Sequence, residues 1–532
     1  MSKLLRKFRR IGVVALVPVL AVVMSACGSS STTSGGGDSS GSGGQITYAV
    51  SVGVASIDPG IACNAFWDYV PVKNLYDTLV QYSEERDESG AQKIVPMLAE
   101  SWDVDPSSKV FTFHLRDDVT FANGDKMTAE DVVYGFDRLV KLGGCQDYVL
   151  TLGDPKLIES IKAVDPQTVK FTLSESSPRF LAQLAQTGMS PINKKELEAH
   201  GGLTQKGDQW IATHPIGTGA YELTKYEPDS EIVMKSRPDY WQGKPKNSGV
   251  SMRIVSDVNT MKTLVQSNQL DMATGLPLKD IDSLATGRQL LADPSQFYIW
   301  LGMNNKKAPF TDVKVRQAIQ SAVPVAEMAD QLGHGHAQSF AGPIPPAMPF
   351  YPDLPIPPVD LDKAKQLVSQ AGADGSKFTI DIKNGDSLAK DAATVIQSNL
   401  ADIGIDVSIA QLGPSAFYNK VSTFKSDAYL IKDGAPYNEP AYFLGFLIKC
   451  GDPFNWMQYC NKEVDKLLAE GKAETDNSKR AEIYKKISEI VEEEAPQLPI
   501  MAPENIVIAS NSLKGYVYYD DQQPVFWPIS AD

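Results

Sequence analysis

Four blocks within residues 96–133 decide the fold: Pro96-Met97-Leu98-Ala99-Glu100-Ser101-Trp102, Phe111-Thr112-Phe113-His114-Leu115-Arg116, Val119-Thr120-Phe121-Ala122-Asn123-Gly124 and Thr128-Ala129-Glu130-Asp131-Val132-Val133. The last opens a helix. Thr128 is placed to cap it, Val132, Val133, Phe136, Leu139 and Val140 share one face at helical spacing, and Gly143 supplies the stop. Short β-type runs alternate with such helices along the chain, which predicts mixed sheets flanked by helices, an α/β fold. The same helical spacing recurs at Leu361, Ala364, Leu367, Val368 and Ala371 before Gly372. It returns at Val395, Ile396, Leu400 and Ile403 before Gly404, and at Ile483, Ile487, Ile490 and Val491 before Pro496. These are core faces. Pro343 to Pro358 holds eight prolines in 16 residues and predicts an extended surface connector.

The N-terminus is a targeting segment. Lys3, Arg6, Lys7, Arg9 and Arg10 precede an apolar run, Ile11 to Met24, that is short for a membrane span and suits the core of a signal peptide. The run meets Met24-Ser25-Ala26-Cys27, which resembles the lipobox of bacterial lipoproteins. The resemblance implies a signal peptide over 1–26 and a lipid on Cys27. Gly28 to Gly44 is nearly all Gly, Ser and Thr, so 27–45 is expected to be a flexible tether. Gly37-Asp38-Ser39-Ser40-Gly41 fits G-x-S-x-G only formally, with no strand before it and no helix after it.

The formal charge of the whole chain is −15, and it becomes about −20 without the basic segment. That argues against nucleic acid as a partner and favours a soluble body outside the cell. Besides Cys27 there are Cys63, Cys145, Cys450 and Cys460. An even count in an exported chain reads as two disulfides, with three possible pairings. The short loop favours Cys450–Cys460, which leaves Cys63 for Cys145. No C-x₂-C pattern is present, and His334-Gly335-His336, the one close histidine pair, would need further ligands to hold a metal. No metal and no cofactor is expected. No P-loop, H-E-x-x-H, Rossmann fingerprint or singled-out carboxylate pair appears, so an exported hydrolase is the weaker class and the chain is not expected to be an enzyme.

The four opening blocks continue, in order, with Pro215-Ile216-Gly217-Thr218-Gly219-Ala220-Tyr221, Tyr240-Trp241-Gln242-Gly243-Lys244-Pro245 and Pro309 to Ala318. Together they resemble the family 5 extracellular solute-binding proteins, the peptide- and nickel-type binding components of ABC importers. The resemblance implies a two-lobed periplasmic-binding-protein type II fold with an extra subdomain inserted in lobe I. It places lobe I at 46–298, its inserted subdomain at about 76–212, lobe II at 299–502, and a C-terminal return to lobe I at 503–532. It implies a monomer that captures a small organic ligand, a short peptide first, and hands it to an ABC permease and its ATPase. The chain would sit on the outer face of the cell membrane, or on the periplasmic side where a second membrane exists. An oligosaccharide, or a nickel or other metal chelate, is the alternative guest.

In that family a segment like G-W-x-A-D-Y-x-D-P lines the cleft. Here it reads Lys432-Asp433-Gly434-Ala435-Pro436-Tyr437-Asn438-Glu439-Pro440, with Pro436 where the acid that pairs with a peptide amine would stand. Asp433 and Glu439 are the substitutes. The candidate cleft residues are therefore Asp433, Gly434, Ala435, Pro436, Tyr437, Asn438 and Glu439, with Asn64, Phe66, Trp67 and Tyr69 from the first lobe and Tyr418, Tyr442 and Trp456 from the second. Trp456 lies inside the loop that Cys450–Cys460 would close, which would fix its ring.

Overall fold

The computed structural model describes residues 43–62, 66–151, 153–435 and 438–531. The signal segment, Cys27 and most of the tether lie outside them. Gly43, counted in the tether on composition, already bridges to Asn247 and donates its N–H to the Lys246 carbonyl at 3.0 Å. Composition does not register such backbone pairing.

Two large mixed sheets organise the chain. The first has seven strands in the order Gln289–Asp293, Asn505–Ala509, Met272–Thr274, Ile46–Val50, Gly249–Ile254, Glu231–Ser236 and Tyr221–Glu227. Ile46–Val50 runs parallel to both of its neighbours. The second has six, in the order Ala337–Gln338, Gln497–Pro503, Tyr298–Met303, Ala428–Asp433, Lys377–Lys383 and Asp406–Leu412. Lys377–Lys383 is parallel to both strands beside it. Helices Val313–Ala322, Leu361–Gln370 and Ser387–Ala401 cover the second sheet; in the last two, Ala364, Val368, Ile396 and Leu400 of the predicted apolar faces are fully buried. Gly372 and Gly404 follow their helices at positive φ, as a left-handed stop requires.

A four-stranded antiparallel sheet, Ala99–Val104, Val110–Leu115, Thr168–Leu173 and Ile158–Asp165, stands on its own core. Strand Val110–Leu115 alternates strictly, so Phe111, Phe113 and Leu115 turn inward and His114 faces out toward Asp103. Helix Ala129–Leu142 packs on the inner face. The Asp131 carboxylate accepts from the N–H and hydroxyl of Thr128, each at 2.8 Å, and Gly143 ends the helix at φ 59°. Phe111, Phe113, Phe136, Phe171 and Phe180 meet edge to face or tilted at 4.9–5.6 Å between ring centroids. Each such buried ring contributes about 1.5–3 kcal/mol. Val140 departs from the expected apolar face and is exposed, while Leu139 beside it in the last turn is buried.

The proline connector also departs from expectation. It has no regular structure, but Ile344, Met348 and Phe350 are buried in the second body's core, so its first half is an interior wall. Prolines there still avoid unmet N–H groups, which is what an irregular buried segment needs.

Arg138 joins the antiparallel unit to the loop after Ile46–Val50. Its guanidinium donates to both Asp58 oxygens, at 2.8 and 2.7 Å, and to Asp208 at 2.9 Å, with Arg138 and Asp58 almost wholly buried. Arg138→Met would leave the Asp58 carboxylate buried without a counter-charge. It is expected to destabilise the protein by about 3–5 kcal/mol in urea unfolding, and adding Asp58→Asn should recover part of that loss.

Candidate ligand-binding cleft

Ligands of open α/β sheets gather at the carboxyl ends of parallel strands. In the second sheet those ends are Lys383 and the Lys432-Asp433 pair. Gly434 follows immediately and approaches the link that leads into strand Tyr298–Met303. A Cβ there would lie 2.9 Å from both the Gln296 carbonyl oxygen and the Phe297 Cα, so only glycine fits. Asp433 is surrounded by protein yet keeps partial access to solvent. Burial raises its pKa to about 6, against the Gly434 N–H, which it accepts at 2.8 Å, and the Lys383 charge. Across from it stands Tyr69, at the start of helix Tyr69–Leu75. Burial holds that phenol far above its ordinary range, and the Asp433 charge adds to the rise.

The aromatic candidates divide. Tyr418 is 41% exposed, and the Lys383 ammonium lies 5.6 Å from its ring centroid. Trp456 packs 6.2 Å from both Tyr418 and Tyr429, inside the loop closed by Cys450–Cys460, whose Cα atoms are 4.5 Å apart. Trp67 is half-buried and packs on the first body's core, and Ala435 is buried. Cys145 is disulfide-bonded. Cys63, Asn64, Pro436 and Tyr437 lie outside the described residues, as do the side chains of Phe66 and Tyr442.

Glu439 and Asn438 are engaged elsewhere. Glu439 caps helix Pro440–Ile448 and is 1% exposed; its Oε1 accepts from Arg480 at 2.6 Å and from the Tyr484 hydroxyl at 3.2 Å. Its other oxygen lies 3.1 Å from Nε of Arg179, which comes from the antiparallel unit. Phe350 lies beneath both guanidinium groups, at 5.2 and 4.7 Å. Asn438 donates to Asp520 of the C-terminal segment. The carboxylate that sequence spacing offered at Glu439 thus has no free face, and Asp433 is the acid left open. Nothing in the local sequence signals Arg179 or Arg480 as its partners, since both are distant along the chain.

More contacts join the antiparallel unit to the second body. The Tyr148 hydroxyl donates to Asp452 at 2.6 Å, and Lys472 meets Glu175 at 2.6 Å. His336 is engaged with Glu504 at 3.0 Å and Asp282 at 3.2 Å, so the His334-Gly335-His336 loop braces the crossing region. Among the described residues, no group of three or more His, Cys, Asp and Glu is arranged to hold a metal ion, and no helix is long and apolar enough to cross a membrane.

Residues 93–455 match the family described as bacterial extracellular solute-binding proteins, family 5. The chain belongs to that family. It is a solute-binding protein of the ABC-importer type, a binder rather than an enzyme. It is 29% identical to the dipeptide-binding protein of Escherichia coli K12 over 83% of this chain and 86% of that one. It is 27% identical to heme-binding protein A of Haemophilus influenzae, over 86% and 87%. Among solved structures, the periplasmic binding protein DppA of Helicobacter pylori, in complex with the peptide STSA, superposes with a TM-score of 0.81. That match is 28% identical and covers 92% of this chain and 98% of that one. The mixed sheets are therefore those of the two-lobed type II fold.

In this family 5 protein the Arg179–Glu439–Arg480 cluster ties the antiparallel unit to the second lobe. Arg480→Met removes the fully buried partner of Glu439 and is expected to cost about 3–5 kcal/mol in chemical denaturation. Arg179→Met leaves Arg480 in place, and about 1–2 kcal/mol is expected. Equal losses from the two would contradict this ranking.

Proposed function

We propose that this protein is a lipid-anchored receptor that captures a short peptide between its lobes and delivers it to an ABC permease. Asp433 holds the peptide's α-ammonium. Cys27 carries the lipid, 27–45 forms the tether, and the anchored protein works outside the cell membrane. The lobes span 46–298 and 299–502, with 76–212 inserted in the first and 503–532 returning to it. Tyr418, Trp456, Phe66, Trp67 and Tyr437 line the cleft, and Cys63 pairs with Cys145.

The observation that carries this reading is the acid at the cleft. Asp433 has a carboxylate with one local N–H donor and no cation within ion-pairing distance, on a strand end facing the opposite lobe. A desolvated carboxylate facing a guest binds an ammonium strongly. The dipeptide-binding and peptide-bound relatives support the same ligand class. The Tyr418–Trp456–Tyr429 ring group favours the second reading, an oligosaccharide stacked on aromatic faces. Mass spectrometry of the ligand released by mild denaturation separates the two: a mixture of short peptides supports the first reading, and a single glycan the second.

The sign of the pH dependence follows from Asp433. Its pKa near 6 in the empty cleft means that the carboxylate is ionised at pH 7 and mostly protonated at pH 5. Tyr69, Tyr298 and Tyr429 around it, all raised by burial, stay protonated over that range. Affinity for a dipeptide, measured by calorimetry, is expected to fall about tenfold from pH 7 to pH 5. Asp433→Asn should weaken binding at pH 7 and flatten this profile. The same substitution should stabilise the empty protein at pH 7, because an acid whose native pKa is raised loses stability as pH climbs past its unfolded value. A steep profile surviving in Asp433→Asn would remove Asp433 from the role.

A further inference from the structure

The antiparallel unit meets both bodies, and the two seams are built differently. The seam with the first body is closed by groups removed from water. Arg138 and Asp58 pair across it, both almost wholly buried. Arg237, 1% exposed, follows strand Glu231–Ser236 and donates to the Phe121 carbonyl at 3.2 Å and the Thr218 carbonyl at 3.0 Å. Trp241 packs against the cores on either side, with its indole N–H on Asp77 at 2.9 Å. Parting these groups would leave buried charges without partners, so the unit moves with the first body.

The seam with the second body is made by side chains that keep contact with solvent. Lys472 and Glu175 meet at 2.6 Å and are 23 and 48% exposed, and Arg179, 20% exposed, reaches the Glu439 carboxylate at 3.1 Å. The Tyr148 hydroxyl donates to Asp452 at 2.6 Å, and its ring meets Phe454 edge-on at 5.2 Å between centroids. A cavity of about 390 Å³ lies in this seam, with Tyr148, Glu175 and Ser176 on one wall and Ala441, Asp452 and Lys472 on the other. A permanent interface packs to interior density, and this one does not. When the seam parts, Glu439 keeps Arg480 and Tyr484, and the exposed pairs return to water. Phe350 of the second body adds a contact. It is held at φ 60°, a left-handed conformation rare for a bulky side chain, with its N–H on the Ser89 carbonyl at 3.4 Å and its ring against Arg179. Ser89 lies in the turn between strands Val80–Arg86 and Gln92–Pro96, whose Val80 and Tyr82 belong to the antiparallel unit's core.

We propose that Arg179, Tyr148 and Lys472, together with Phe350, form a latch between the antiparallel unit and the second body that sets how much of the empty protein is closed. This rests on the two-lobed fold and not on the peptide reading. A guest that needs the closed form binds with an affinity reduced by the closed fraction, so loosening the latch weakens every guest by one common factor. Guests enter the open form, so the loss falls on the dissociation rate and leaves association unchanged.

The test compares the mature protein, freed of bound ligand by mild denaturation and refolding, with the Tyr148→Phe/Lys472→Gln double variant. Small-angle scattering of the empty variant is expected to give the larger radius of gyration. Calorimetry at pH 7 with dialanine and trialanine is expected to show both peptides weakened about three- to tenfold, by factors that agree within about twofold, with the dissociation rate rising to match. Lys472→Glu alone should open the seam by repelling Glu175, and adding Glu175→Lys should restore the scattering profile and both affinities. This charge exchange keeps the test valid should the double variant misfold. Unequal factors for the two peptides, or a slower association, would set these side chains against the guest and overturn the latch. Scattering profiles and affinities unchanged in every variant overturn it as well. If neither peptide binds, the peptide reading fails, and scattering from the empty protein still decides the latch.

Discussion

Everything about the cleft depends on how the chain crosses between its two sheets. Gln289–Asp293 and Asn505–Ala509 are paired neighbours in the seven-stranded sheet, and their continuations, Tyr298–Met303 and Gln497–Pro503, are paired neighbours in the six-stranded one. Two links therefore leave one sheet side by side and enter the other side by side. Both entering strands are buried along their whole length, so neither can yield without opening a core. Outside those buried strands the two links are residues 294–297 and Glu504. Even there Gln296 donates to the Asp520 carbonyl at 3.0 Å and Ser295 to Gln522 at 2.9 Å, so the C-terminal segment braces the joint. Paired links resist twisting and sliding and permit bending, which is the motion a closing clamp requires.

Buried charge is satisfied in different ways. Within each body some buried carboxylates are matched by arginine or lysine, as Asp58 is by Arg138 and Asp381 by Lys420, and others by neutral donors, as Asp77 is by Thr218, Tyr240 and Trp241. Between the antiparallel unit and the second lobe, Arg179, Tyr148 and Lys472 make contacts that exist only while the two are together. At the end of strand Ala428–Asp433, the Asp433 carboxylate has one local N–H donor and no ion-pair partner among the described residues. The groups differ in what completes them: the same body, the opposing body, or neither. An overall charge of −15 says nothing about this arrangement, because local complementarity and net charge are independent quantities.

What the sequence disclosed and what it concealed follow the range of the interactions. The helix over Ala129–Leu142 was legible down to its cap and stop, because Thr128, Asp131 and Gly143 act within a turn of it. The Cys450–Cys460 bridge was legible because its loop is short. Glu439 was offered as a ligand-binding acid on spacing alone. Its partners, Arg480 and Arg179, lie on a different helix and in a different unit, and no local pattern marks them. The proline connector misled for a related reason: composition predicts its backbone conformation, but burial of Ile344 and Phe350 depends on a cavity formed by distant elements.

The position of the free acid is itself an argument about rigidity. Pro436 occupies the place where the resembling segment carries its acid, three residues beyond Asp433. Asp433 instead terminates a strand, with its backbone paired to Tyr298 and its carboxylate held by the next N–H. A strand end restricts direction more tightly than a loop does, so a carboxylate placed there is oriented before any guest arrives and little entropy remains to be lost on binding. The penalty is its desolvation, visible in the raised pKa, and a protein selected for stability alone would put a neutral side chain at that point. Gly434 makes the arrangement feasible: because nothing larger fits against Gln296 and Phe297, the chain turns away at once and leaves the acid at the lip of the sheet, facing the other lobe. That one turn thus sets an acid with a single local N–H donor beside a residue without a side chain, at the end of a fixed strand.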